Sequence, residues 1–104
     1  MAKQYHKLVR DKIPEIIEKT GKTCRTEILS DEAYLALLDK KLTEELAEYQ
    51  ESKSLEELAD LLEVMEAVVA ARGYTWEELL AVKEEKKAAR GGFAEKLLLL
   101  EVSE

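Results

Sequence analysis

Apolar residues recur at helical spacing along most of the chain, and short polar breaks divide them into segments. Leu35, Leu38, Leu42, Leu46 and Tyr49 follow one another at intervals of three and four, which predicts a helix reaching about residue 52. Ser30 stands ahead of it as an N-cap, Asp31 and Glu32 fall in its first turn, and Leu29 and Tyr34 are placed for a hydrophobic staple. Ser54 and Glu57 have capping-box spacing and open the next helix. Its apolar positions are Leu58, Leu61, Leu62, Val64, Met65, Val68 and Val69, and Gly73 stops it. Thr75 with Glu78 repeats the signature and starts a last helix, which runs to about Arg90 and ends at Gly91-Gly92.

The flanks are less periodic. Residues 1–13 are basic and irregular around Leu8-Val9. Pro14 suits the first turn of a short helix over 14–20, with Ile16 and Ile17 turned inward and Gly21 as its left-handed stop. Residues 22–29 carry no helical stripe and read as an extended connector, with a short strand as the alternative. The end of the chain, with Leu97 to Leu100 in a row, fits either a strand or a buried last turn of helix, and the pattern leaves both open. The expected architecture is a single domain over 1–104, an all-α bundle of about four helices with extended segments at the N-terminus and at 22–29.

Composition narrows the chemistry. Hydrophobic residues at 46% and charged residues at 38% suit a soluble, helix-rich domain. A net charge of −7 argues against nucleic-acid binding, because no cationic excess is available to displace counterions from phosphates. Cys24 is the only cysteine and His6 the only histidine, which removes a disulfide framework, a thiolate or His-rich zinc site and a Ser-His-Asp triad. No signal-peptide core and no apolar run of membrane-spanning length is present, so a cytoplasmic location is expected, without membrane partners.

What remains is acidic. Two clusters, Glu44-Glu45-x-x-Glu48 and Glu57-x-x-Asp60, lie on either side of the polar break between the second and third helices. At about 100° per residue, Glu57 falls inside the broad apolar arc of the third helix and Asp60 at its edge, beside Val64. On the second helix Glu45 borders the Leu38–Leu42 edge of the stripe, and Glu48 follows about 60° further round. Glu44, Glu51, Glu56, Glu63 and Glu66 point elsewhere. A carboxylate in an apolar arc needs a partner, and a hard cation between facing helices would supply one. The plainer alternative is that Glu57 only closes a capping box and the other acids are a solvated face. Spacing and angles do not separate the two.

Lys83, Lys86, Lys87 and Arg90 continue the stripe that Trp76, Leu79 and Leu80 begin on the fourth helix. They either face an anion over the mouth of the bundle or complement the helix dipole while their stems cover apolar surface.

These motifs resemble a known family. Glu44-Glu45-x-x-Glu48 followed by Glu57-x-x-Asp60 is similar to the paired acidic signature of the all-α nucleoside triphosphate pyrophosphohydrolases, the MazG-like superfamily. The stretch Tyr5 to Ile17, with Arg10-Asp11-Lys12-Ile13-Pro14 at its centre, and Lys87-x-x-Arg90-Gly91-Gly92-Phe93 resemble the subgroup described as phosphoribosyl-ATP pyrophosphohydrolase-like. The likeness covers about residues 5–93. It implies that Glu45, Glu48, Glu57 and Asp60 hold Mg²⁺, with Mn²⁺ as a substitute. It implies hydrolysis of a nucleotide to monophosphate and pyrophosphate in a homodimer or higher homo-oligomer. On this reading Glu48 orients the attacking water, and Arg10, Lys12, Lys83, Lys87 and Arg90 neutralise the phosphates. The broad apolar arc of the third helix independently predicts dimerisation. A general or house-cleaning nucleotide hydrolase ranks above a histidine-synthesis enzyme. The competing reading is a helical dimerisation or regulatory module that binds metal or nucleotide without turnover.

Overall fold

The computed structural model describes residues 3–104. It contains four helices: α1 (Ile13–Lys19), α2 (Asp31–Ser52), α3 (Leu55–Ala71) and α4 (Trp76–Arg90). No strand occurs among the described residues, and the 22–29 connector carries no regular secondary structure. The all-α expectation therefore stands.

Helix limits follow the expected caps. The Ser30 hydroxyl accepts the Ala33 N–H at 3.2 Å, the Ser54 hydroxyl that of Glu57 at 3.2 Å, and the Thr75 hydroxyl that of Glu78 at 3.1 Å. α3 ends in a Schellman turn: Tyr74 N–H donates to the Val69 carbonyl and Gly73 N–H to that of Ala70, with Gly73 at φ +86°. Between α2 and α3 the chain reverses through Lys53, which is left-handed at φ 59° without being glycine. α1 begins at Ile13, with Pro14 in its first turn, and lacks a side-chain cap.

α2 and α3 form an antiparallel hairpin, the main packing unit of the chain. Leu38 and Val64 are its most buried apolar residues, with Leu61 and Val68 half-buried beside them. An Arg72–Asp39 ion pair at 2.9 Å joins the end of α3 to the first half of α2. α4 packs on α3 alone, and much less extensively.

Two expectations need correction. Ile16 does not point inward: it is exposed, and only Ile17 of that pair is half-buried. A seven-residue helix offers one narrow apolar line, and Ile17 takes it. Beyond Gly92 the chain is neither strand nor helix, apart from a turn at Phe93–Lys96, and Leu97 to Leu100 are exposed. A strand needs a neighbour to receive its backbone hydrogen bonds, and this chain provides none there.

Candidate metal centre

The hairpin brings both acidic clusters to its closed end. Glu45 and Glu48 lie in the last two turns of α2, and Glu57 and Asp60 in the first two of α3. One carboxylate oxygen from each of Glu45, Glu57 and Asp60 lies within 4.8 Å of the other two. Glu48, exposed at the rim, is near enough for its charge to act on both Glu45 and Glu57. Three of the four acids expected to act together are thus gathered, and Glu48 lies beside them, outside that group.

Burial separates their roles. Glu45 is only 8% exposed, the single buried charged residue described. Its Oε2 and that of Glu57 are shut off from solvent without any hydrogen-bond partner. Such groups are costly unless something fills the gap. Both carboxyls are pushed above their ordinary value of 4.5, first by burial and then by the charge of Glu48. Asp60 adds to both shifts, and Lys41 partly offsets that of Glu45. The donor set is carboxylate oxygen throughout, the kind hard divalent cations prefer, and two of its oxygens face inward with nothing to accept from.

Glu57 also resolves the capping question. Its backbone N–H bonds the Ser54 hydroxyl, but its carboxylate does not return to the Ser54 N–H, which donates instead to the Ser52 hydroxyl at 3.3 Å. At α4 the box is closed, with the Thr75 N–H donating to Glu78 Oε1 at 3.1 Å. The same four-residue signature therefore spends one glutamate on a helix end and leaves the other in the acidic cluster.

Two cations attend the cluster. Arg10, from the extended N-terminal segment, donates to Asp60 Oδ1 at 2.7 Å, which brings one of the expected phosphate ligands to the site. Lys41 lies 3.6 Å from Glu45 Oε1. Sequence reasoning missed Lys41, although its position one turn before Glu45 was a readable signal. Lys12 sits at the N-cap of α1, exposed. The α4 cations are not gathered with the acids: Lys83 pairs with its neighbour Glu84, and no ion pair among the described residues links Lys87 or Arg90 to the cluster. No helix among the described residues is long and apolar enough to cross a membrane.

Comparison with known proteins adds one likeness. A stretch of 41 residues is 56% identical to a protein of Mycolicibacterium smegmatis described only as uncharacterized. The match takes in 39% of this chain and 42% of that protein, so the chain covers under half of its relative's length. No family model matches the chain. No solved structure matches it either.

Proposed function

We propose that this chain is a divalent-cation-dependent nucleotide pyrophosphohydrolase that cleaves a nucleoside triphosphate or related nucleotide to monophosphate and pyrophosphate. The observation that carries the reading is the pair of buried, unpartnered oxygens on Glu45 and Glu57, two residues that with Asp60 bring carboxylate oxygens within 4.8 Å of one another across the hairpin. The resemblance to MazG-like enzymes supplies the reaction class.

Glu45, Glu57 and Asp60 are the ligands best placed for Mg²⁺ or Mn²⁺, with Glu48 at the open side. When bound, such a cation would supply charge neutralisation for the phosphates and lower the pKa of a water beside it. The chain's own part is to fix the carboxylates on two rigid helices, so that little reorganisation accompanies binding. Glu48, the most open to solvent, is placed to accept a proton from an attacking water and to orient it. Arg10 is already at the rim, and its fork of N–H donors suits a phosphate that approaches Asp60. Lys83, Lys87 and Arg90 act on phosphate in this scheme only if α4, or that of a second copy, meets the cluster.

Self-association belongs to the proposal. The third-helix residues Leu58, Leu62 and Met65, one stripe at spacings of four and three, face away from α2 and are exposed. A second copy of the chain covers them most simply.

The separation of the α4 cations from the acids favours a second reading, a module that binds cation or nucleotide without turnover. Incubation of the chain with a nucleotide panel and Mg²⁺, resolving the products, tests the first reading. Monophosphate plus pyrophosphate is expected, and Glu57→Ala should abolish their formation. Orthophosphate release, or no turnover of any nucleotide, would sink it.

A further inference from the structure

A capping box at the start of α3 and the acidic cluster are two alternative places for one side chain, that of Glu57. α3 opens with Ser54-x-x-Glu57 and α4 with Thr75-x-x-Glu78, so the two starts have the same local options. At α4, Glu78 Oε1 takes both the Thr75 N–H and the Thr75 hydroxyl, each at 3.1 Å. At α3 the equivalent N–H, that of Ser54, goes to the hydroxyl of Ser52, the last residue of α2. The Ser52 and Ser54 hydroxyls lie 3.1 Å apart, so the small polar network closes on itself. Glu57 is left with no capping duty, and its carboxylate turns into the hairpin, where Oε2 is buried.

We propose that Ser52 is a positioning residue that holds Glu57 in the cation site by occupying the capping place its carboxylate would otherwise take. This rests on the reading of the cluster as a cation site. The argument is one of satisfied groups. A helix N-terminal N–H without an acceptor recruits the nearest one, and three residues on, a glutamate is the preferred choice. In the cluster Glu57 is opposed by Glu48, Asp60 and Glu45, so without a cation it gains by leaving. Ser52 removes the attraction of the alternative position. The turn that reverses the chain thereby also sets the ligand geometry.

The test is Mn²⁺ binding to the full chain, followed by the electron paramagnetic resonance of the free ion, for wild type, Ser52→Ala and Ser52→Thr. Ser52→Ala should bind Mn²⁺ about tenfold more weakly, the usual scale for losing a group that orients a ligand. Ser52→Thr keeps the hydroxyl and should bind like wild type. In a Glu57→Ala background, Ser52→Ala should have no further effect, because the residue it positions is gone. A loss of helix stability alone would lower the melting temperature without this dependence on Glu57. Wild-type affinity in Ser52→Ala, or the same weakening with and without Glu57, overturns the assignment and leaves the cation site standing. A wild-type chain that takes up no Mn²⁺ removes the site and the assignment together.

Discussion

Glu45 shows how much tension one side chain can hold in this fold. It is buried, its Oε1 is only loosely met by Lys41 at 3.6 Å, and its Oε2 has nothing to accept from. Its raised pKa, like that of Glu57, means that the folded chain holds these protons more tightly than the unfolded chain does. The sign follows directly. The contribution of these two groups to the stability of the metal-free chain is fully present below their ordinary value of 4.5 and is lost as pH rises through their elevated values. Thermal melts of metal-free protein across that range should show the decline, with Glu48, Asp60, Lys41 and Arg10 as the charged neighbours that shape it. Glu45→Gln should flatten the decline and raise the metal-free melting temperature near pH 8, while weakening Mn²⁺ binding at least tenfold. Loss of stability in that variant at pH 8 would show that the carboxylate is favourably paired after all. Of this cluster, the convergence of Glu45, Glu57 and Asp60 was legible in the sequence, because 100° steps on a helix sort inward from outward residues, whereas Glu48 stays exposed outside the three. Lys41 could have been read by the same rule. The pairing of Arg10 with Asp60 could not, since it joins an aperiodic segment to α3 across fifty residues of chain.

The elements themselves were legible wherever a hydroxyl or a glycine marked an end. Ser30, Ser54 and Thr75 each cap the helix they were expected to cap, and Gly73 and Gly91 both take positive φ at the stops. Lys53 is the exception that local chemistry did not announce. It adopts a left-handed conformation that costs a residue with a Cβ about 1–2 kcal/mol, and its ammonium lies over the Tyr49 ring at 5.7 Å. Lys53→Gly should therefore stabilise the chain by about 1 kcal/mol, less whatever the cation–π contact contributes. Chemical denaturation with an unchanged m-value checks it, and destabilisation would mean that the Tyr49 contact outweighs the backbone strain. The course of α4 was not legible. Its apolar face, Trp76, Leu79 and Leu80, specifies that something is covered but not which partner covers it, and Leu80 stays 41% exposed.

At the scale of the whole molecule the surface is too large. The chain exposes 9783 Å², whereas a compact monomer of 11.8 kDa exposes about 5,900 Å². Its radius of gyration is 18.7 Å, against about 13 Å for a compact domain of this length. The excess, about 3,900 Å² in each chain, is shared between the irregular, mostly exposed segments at 3–12, 22–29 and 93–104 and the open stripe Leu58, Leu62 and Met65 on the hairpin. A homodimer mass in solution is expected, with a melting temperature that rises with protein concentration. Leu62→Glu adds a charge to an exposed position, harmless to an isolated chain, and should convert the assembly to a monomer of lower stability. A monomeric wild type at micromolar concentration contradicts this. The broad apolar arc of α3 already pointed to self-association in the sequence, but which of its residues stay open, Leu58, Leu62 and Met65, appears only after the hairpin has packed.

The acids sit where α2 turns back into α3, the part of the hairpin whose contacts are closest in sequence and so cost least chain entropy to form first. Like charges placed there oppose the first contacts of folding rather than the last ones. A divalent ion present during refolding should therefore act mainly on the folding arm of a chevron plot and leave the unfolding arm nearly level. On that view a bound cation would do for this chain what a designed turn does for a hairpin, setting the rate at which the fold begins.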